Sequence, residues 1–307
     1  MRQNGIKNMA IVISLCALSL VLLSLYSITE PKSKSTDENF LDGCYHVYLD
    51  MGSHNGTQIR KLYEPEYYPL AEVRSIFDEH FGPVEERRDG ARVVCAVGFE
   101  PNYRLTKHLK AIEHSYTKCG WRVKFFTETA VSDHDGTERF YTDGWFDIKN
   151  SEISAGILPP EISLHTNEEV NKLYPSKNIT SLRLSKFLLD VVGKRKLPLL
   201  PPSKEHPPRV LIKMDIEGSE VDVIPDLIFT GALQHINLLM IEWHERLEKL
   251  SARKNAHSIL NKTIGLLSEY SSSMKRHGAK FDFNSVNLDD ESYGLAEAYG
   301  LFKLPNC

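Results

Sequence analysis

The chain has 307 residues, of which 41% are hydrophobic and 25% charged, proportions that suit a globular protein with one large α/β domain. A formal charge of -4 gives no electrostatic case for nucleic-acid binding, so no nucleic-acid partner is expected. The 12 histidines show no metal-binding pattern such as H-E-x-x-H, and no metal site is assigned from them.

The amino-terminal region predicts a membrane anchor. After a short tail at residues 1–8, residues 9–28 are uncharged and apolar, and as a helix they would span roughly 30 Å, enough to cross a bilayer. A cleaved signal peptide is the alternative, but the A-x-A-like cleavage pattern is missing. The sequence therefore favours an uncleaved type II signal-anchor, a stem linker at 29–39, and a domain at 40–307 in the lumen of the endoplasmic reticulum or Golgi.

The glycosylation sequons support this topology only in part. They occur at Asn55, Asn178 and Asn261. Asn178 is expected in an exposed loop, where a glycan can be attached. A glycan on Asn55 would block the loop that we expect to bind a cofactor, so a cytosolic domain stays open as an alternative.

The cysteines outside the predicted anchor are Cys44, Cys95, Cys119 and Cys307, and four cysteines allow three pairings. Cys95 falls in the middle of a predicted strand and is expected to be a buried free thiol. Cys44 and Cys307, near the two ends of the domain, are the preferred disulfide candidates.

The first motif of the domain is VYLDMGSHNGTQ at residues 47–58, which reads as a strand, an acid, a glycine turn and a helix start. Gly52 allows a sharp turn and a close approach to a ligand, and Gly56 allows the next helix to pack on the sheet. His54 stands where the second glycine of a dinucleotide fingerprint belongs, which disfavours NAD, and the chain has no phosphate loop for ATP. An acid such as Asp50, placed to meet a cation or hydroxyls, suits S-adenosylmethionine better.

Three later apolar stretches end in the same way, at residues 93–102, 209–220 and 238–245. Because the carboxyl ends of parallel strands meet at one edge of a sheet, their acids are expected to lie close together. Strands alternating with helices predict an α/β fold with a doubly wound, mostly parallel sheet.

The rest of the chain predicts further elements. Helices are predicted around 70–81, within an unusually long connection at 57–90, and at 103–118, 181–192, 219–228 and 251–270; strands are predicted at 121–127, 236–243 and 280–288. Residues 129–142 predict a loop followed by a strand. Residues 143–180 show little periodicity, and 194–208 predict a basic, proline-rich loop.

Six segments occur in an order that resembles the FkbM family of S-adenosylmethionine-dependent methyltransferases. They are LDMGSHNGT, GFEPN, TAVSDHDGTERFY, SLRLSKFL, LIKMDIEGSE and MIEWHE, within residues 44 to 250. The resemblance implies a Rossmann-like class I methyltransferase domain with S-adenosyl-L-methionine as cofactor.

Six residues are assigned to the cofactor: Asp50, Gly52, Gly56, Glu100, Asn102 and Asp133. The resemblance implies that Glu100 accepts hydrogen bonds from both ribose hydroxyls, a task that suits the two oxygens of a carboxylate. Asp50 is expected at the methionine end, and Asp133 resembles the adenine-side loop. Each has a structural alternative, such as an acid at a helix start for Glu100.

Asp215, Glu217 and His244 are assigned to catalysis on the substrate side. Methyl transfer to a hydroxyl removes its proton, and His244 has a suitable ordinary pKa for the base. Asp215 and Glu217 could instead bind a divalent cation. Glu220 is expected to be an acid of the helix face rather than a catalyst.

The hypothesis is a membrane-anchored O-methyltransferase that acts on a glycan or other small-molecule hydroxyl in the secretory pathway. A methyltransferase-like domain that binds the cofactor without turnover is the alternative from another class. An NAD-dependent oxidoreductase on a similar sheet is disfavoured by the missing second glycine.

Overall fold

The computed structural model describes residues 38–88, 94–141, 176–199, 207–244, 255–276, 281–288, 290, 304–305 and 307. The predicted tail, membrane anchor and most of the stem linker lie outside these residues. Within the described part of the chain, no helix combines the length and the apolar character needed to cross a membrane.

Nine strands and seven α-helices are described in these ranges. The strands are β1 (His46–Met51), β2 (Val94–Glu100), β3 (Arg122–Thr127), β4 (Thr129–Ser132), β5 (Gly136–Tyr141), β6 (Ser176–Arg183), β7 (Val210–Met214), β8 (Leu238–Ile241) and β9 (Asn284–Asn287). The helices are α1 (Thr57–Tyr63), α2 (Val73–Phe81), α3 (Val84–Arg88), α4 (Thr106–Lys118), α5 (Leu184–Phe187), α6 (Glu220–Phe229) and α7 (Ala256–Lys275). Short 3₁₀ turns lie at Pro65–Tyr67, Tyr103–Leu105 and Ala232–His235, and α5 continues as a π-helical turn at Leu188–Val192.

The main sheet has six strands in the order β3-β2-β1-β7-β8-β9. Every neighbouring pair in it is parallel, which confirms the predicted Rossmann-like α/β fold. From β1 the chain builds outward through β2 and β3, then returns to build the other half from β7. The order therefore reverses between β1 and β7, and the carboxyl ends of these strands form the crevice where such sheets bind ligands.

Helices cover both faces of this sheet because its strands are apolar on both sides. Along β1, Val47, Leu49 and Met51 pack into one core, whereas Tyr48 packs into the other. The first core takes its helical residues from α5, the π-helical turn, α6 and α7. The second takes them from α1, α2 and α4.

The structure differs from prediction around β6. Residues 176–180 were expected to lack regular structure, yet they form the first part of β6, and the following helix begins at Leu184 instead of residue 181. The start of the predicted 129–142 loop is also a strand, β4. These strands form a separate three-stranded sheet, β4-β6-β5, whose pairing partners are distant in sequence, so local periodicity does not reveal them. Asn178 is accordingly an exposed strand residue and not a loop residue.

The two disulfide predictions are wrong. Cys44 is bonded to Cys95, and Cys119 is bonded to Cys307, so Cys95 is not a free thiol and Cys44 does not pair with Cys307. Cys44 lies just before β1, and Cys95 lies in the neighbouring β2, with 5.7 Å between their Cα atoms. The pairing follows from strand adjacency, which the sequence does not give.

Candidate active site

The β1–α1 loop forms the floor of the crevice. Gly52 and Ser53 donate backbone hydrogen bonds to the Phe99 carbonyl of β2, at 3.0 and 2.9 Å. On the other side, the Asp215 backbone N–H donates to the Met51 carbonyl at 3.0 Å. The loop is therefore tied to the ends of both neighbouring strands.

Two glycines make this close packing possible. Gly52 has φ of +84°, and a Cβ placed on it would lie 1.8 Å from the Asp215 carbonyl oxygen. Gly56 has φ of +83°, and its Cβ would lie 3.0 Å from Cδ1 of Ile112 in α4. Gly56 thus permits helix packing as predicted. The close approach at Gly52 is to the chain's own backbone after β7.

Glu100 ends β2 with its carboxylate held by two backbone N–H groups. The N–H of His54 donates to Oε2 at 2.6 Å, and the N–H of Asn102 donates to Oε1 at 2.7 Å. Burial raises the pKa of Glu100 to about 8, even though these two hydrogen bonds act in the opposite direction. The clamp fixes both oxygens at the crevice and leaves each with further acceptor capacity.

Asp50 is fully buried in β1, opposite Lys213 of β7 in the strand register. Among the described residues, neither of its carboxylate oxygens has a well-formed hydrogen bond, and the Ser53 hydroxyl is the side-chain donor that acts on them. Burial raises its pKa to about 7, against the lowering effect of the Lys213 ammonium. A buried carboxylate without well-formed hydrogen bonds is costly, and a cationic ligand group at this position would stabilise it.

A second cluster surrounds His244, which follows β8. Its Nε2 lies 3.5 Å from Oδ1 of Asp215, 3.5 Å from Oε2 of Glu217 and 3.6 Å from Oε1 of Glu242. Its Nδ1 lies 3.0 Å from Oε1 of the fully buried Glu220. The three residues that the sequence assigns to catalysis are therefore brought together.

Lys213 links this cluster to Asp50. Its Nζ donates to Oδ2 of Asp215 at 2.7 Å and lies 3.6 Å from Oε2 of Glu242. Burial acts to lower the pKa of Lys213, but Asp215 and Asp50 raise it overall, so the ammonium stays charged. A run of carboxylates with one buried lysine thus lines the edge from β1 to β8.

Comparison with protein-family models matches residues 50–263 to the "Methyltransferase FkbM domain" model, which covers more than half of the chain. The chain belongs to the FkbM methyltransferase family. No curated protein and no solved structure matches it. Asp50, Glu100, Asp215 and His244 all fall within the matched range, so the crevice described above is the crevice of an FkbM methyltransferase domain.

The FkbM domain does not place all predicted cofactor residues in one group. Asn102 is buried beside Glu100, and its Oδ1 accepts from the N–H of Arg104, capping the 3₁₀ turn. Asp133 lies in the β4–β5 turn, where its half-exposed carboxylate contacts Ser132 and His134. The hydrogen bond with His134 lowers the pKa of Asp133, as expected for a surface turn acid.

Glu220 is one residue of this FkbM site that the sequence interpretation missed, and Lys213 is another. Glu220 is buried completely and holds His244, and its other oxygen, Oε2, lies 3.7 Å from Nε2 of His257. A signal was present, because Glu220 shares helical spacing with Val223, Ile224 and Leu227, all buried in the core. An acid on an apolar helix face indicates a buried polar role.

The pKa values of His244 and its partner Glu220 decide whether His244 can act as a base in this FkbM domain. Burial acts to lower the pKa of His244, but the hydrogen bond with Glu220 and the nearby carboxylates raise it to about 9. Burial acts to raise the pKa of Glu220, but its bonds with the histidines lower it to about 2. With these contacts the imidazole is protonated at neutral pH, whereas a general base must be neutral.

Proposed function

We propose that this FkbM domain is an S-adenosylmethionine-dependent methyltransferase that methylates a hydroxyl group, with a sugar of a glycan as the first acceptor class. One observation carries the proposal: Asp50 and Glu100 lie near the carboxyl ends of the adjacent strands β1 and β2. This edge is next to the place where the strand order reverses. The Glu100 carboxylate is clamped by two backbone N–H groups and can accept further hydrogen bonds. The Asp50 carboxylate is buried, and within the described part of the chain neither of its oxygens has a well-formed hydrogen bond.

The residues of the crevice suit this cofactor. Glu100 would accept hydrogen bonds from the ribose hydroxyls, and its two backbone donors hold it ready for that contact. Asp50 would lie near the ammonium and sulfonium end, where positive charge offsets its burial. Gly52 and Gly56 shape the loop between these groups. Asp133 is retained as an adenine-side residue only by resemblance.

The His244 cluster would form the acceptor side. S-adenosylmethionine supplies the methyl group: an O–CH₃ bond forms as the S–CH₃ bond breaks, and the sulfur keeps the electron pair. Asp215, Glu217 and His244 would hold the acceptor hydroxyl in line, and a carboxylate of the cluster would receive its proton. His244 acts as the base directly only if its imidazole is neutral.

Methyl transfer tests the proposal directly. Full-length protein in mild detergent, given S-adenosylmethionine with a labelled methyl group and a panel of oligosaccharides, is expected to yield an alkali-stable methyl ether. Asp215→Asn is expected to reduce the rate by about 10²-fold or more, because a cluster carboxylate is lost.

The control is Asp190→Asn. Asp190 is exposed, and its substitution removes only a surface ion pair with Lys194, so the rate should stay unchanged. Saturable cofactor binding without transfer to any acceptor would instead support a binding module, and an alkali-labile ester would exclude hydroxyl methylation.

We also propose a type II membrane protein of the endoplasmic reticulum or Golgi with a lumenal domain. The apolar segment at residues 9–28 and the two disulfides support this placement, since disulfides persist in oxidising compartments. Asn178 and Asn261 are exposed, whereas Asn55 is half-buried and hydrogen-bonded to Thr57.

Expression in a secretory cell line tests the topology. Asn178 or Asn261 is expected to carry an endoglycosidase-sensitive glycan, and Asn55 to carry none, because its side chain is engaged in the loop. Site occupancy is read by peptide mass spectrometry. A chain without any glycan would contradict lumenal placement, and a glycosylated Asn55 in active protein would contradict the role of its loop.

A further inference from the structure

We propose that Asp215, Glu217 and His244 bind a divalent transition-metal ion at the carboxyl edge of β7 and β8. Each residue offers one ligand atom, and these atoms all lie within 4.8 Å of one another. The inference rests on the proposed function for what the ion would do, whereas binding itself follows from the geometry of the cluster.

The spacing around His244 Nε2 fits ligands that share an ion. The oxygens of Asp215, Glu217 and Glu242 lie 3.5, 3.5 and 3.6 Å from it, beyond the range of a good hydrogen bond. Atoms bonded to one ion at about 2.1 Å lie roughly 3.0 to 3.4 Å apart for octahedral and tetrahedral angles. The ring is buried, with Nδ1 engaged by Glu220.

The surrounding contacts orient these ligand atoms. Glu220 bonds to Nδ1 of His244 at 3.0 Å, and a carboxylate on the far nitrogen is the usual means of fixing a metal-binding imidazole. Lys213 bonds to Oδ2 of Asp215 at 2.7 Å, so the other oxygen, Oδ1, is the one that faces His244. Lys213 acts in the same way on Glu242, whose Oε2 it approaches while Oε1 faces His244.

The donor set indicates the kind of ion. One imidazole nitrogen with carboxylate oxygens suits Mn²⁺ or Zn²⁺ better than Ca²⁺ or Mg²⁺, which prefer all-oxygen sites. The double positive charge of the ion would also compensate the negative charge of the carboxylates around His244. A bound ion would polarise the acceptor hydroxyl and lower its pKa, with the proton passing to a carboxylate or to water. His244 would then act as a neutral ligand, because the ion would displace the proton from Nε2, and the imidazole would not serve as the base.

The test is Mn²⁺ binding to the full-length protein in mild detergent, after dialysis against a chelator. Free Mn²⁺ is followed by electron paramagnetic resonance, and Zn²⁺ is added as competitor. Wild type is expected to bind one equivalent that Zn²⁺ displaces. Glu217→Gln is expected to weaken the affinity at least about tenfold, because a charged ligand is lost without a change of shape.

Glu128→Gln is the matched control. Glu128 and Glu217 both have positive φ, 55° and 51°, and similar side-chain exposure, 37% and 29%. Glu128 pairs with Lys177 and is expected to leave Mn²⁺ affinity unchanged when substituted. Circular dichroism of both variants checks that they are folded.

Each outcome separates the two proposals, because S-adenosylhomocysteine binding is measured on the same samples. Absence of saturable Mn²⁺ and Zn²⁺ binding, or equal affinities of the two variants, would overturn the metal site while leaving cofactor binding intact. Metal binding without S-adenosylhomocysteine binding would support the metal site and contradict the methyltransferase proposal.

Discussion

Glu100→Ala is expected to abolish measurable S-adenosylhomocysteine binding, with a loss of affinity of at least about 100-fold. Its carboxylate accepts the N–H groups of His54 and Asn102 and would accept two ribose hydroxyls as well. Hydrogen bonds to a charged group contribute about 1.5–3 kcal/mol each, so losing both ribose contacts costs two or more orders of magnitude. The two backbone N–H groups also lose this carboxylate as an acceptor. Calorimetric titration of full-length protein measures the effect.

The control for this experiment is Glu113→Ala. Glu113 also accepts a backbone N–H, from Phe125 at 2.7 Å, but it lies in the middle of α4 beside β3, away from the β1–α1 loop. Its substitution is expected to lower stability and leave S-adenosylhomocysteine affinity unchanged. Equal binding by Glu100→Ala and wild type would exclude the ribose role.

The pH dependence of wild-type binding gives a check on Glu100 and Asp50 together. Since the pKa of Glu100 is raised to about 8 and that of Asp50 to about 7, both carboxyl groups are mostly neutral at pH 6 and ionised above pH 8. The ionised form is the better acceptor, so affinity is expected to rise between pH 6 and pH 8.5 and then level off. Glu113→Ala should show the same pH profile as wild type.

The sequence predicts the centre of the sheet well because β1, β2 and β7 are mostly apolar, buried runs. β1, β2 and β7 lie close to the predicted ranges, and their terminal acids meet at one edge as expected. Glu100 and Asp50 are predictable for the same reason, since each ends a strand of recognisable type. Local hydrophobic periodicity is sufficient to place a residue when its position depends only on the strand or helix that contains it.

The features that were missed depend on contacts between distant segments. Cys44 and Cys95 pair because β1 and β2 are neighbours in the sheet, and β6 is a strand because β4 and β5 flank it. Lys213 looks like an ordinary interruption of an apolar strand until Asp215 and Glu242 are placed around its ammonium. These arrangements have no local signature.

The close approach to a ligand that the glycine motif predicts also needs reinterpretation at Gly52. The sequence predicts that the missing side chain makes room for a ligand, whereas the space is taken by the Asp215 backbone, with 1.8 Å from an added Cβ to the carbonyl oxygen. Asp215 is itself one of the three predicted catalytic residues. Gly52 therefore connects the cofactor loop physically to the acceptor cluster.

Gly52→Ala is expected to lower the free energy of unfolding by about 2–5 kcal/mol and to weaken cofactor binding. A positive φ costs a residue with a Cβ about 1–2 kcal/mol, and forcing the Asp215 backbone aside adds about 1–3 kcal/mol.

Gly120→Ala separates the two contributions, because Gly120 has φ of +83° but no atom within 4 Å of an added Cβ. Urea denaturation should show a loss of only about 1–2 kcal/mol there, with unchanged S-adenosylhomocysteine affinity. Equal losses in both variants would mean that backbone conformation alone selects glycine at position 52. A larger loss at Gly52, together with a reduced rate of methyl transfer, would mean that close packing of the β1 and β7 loops holds cofactor and acceptor in register.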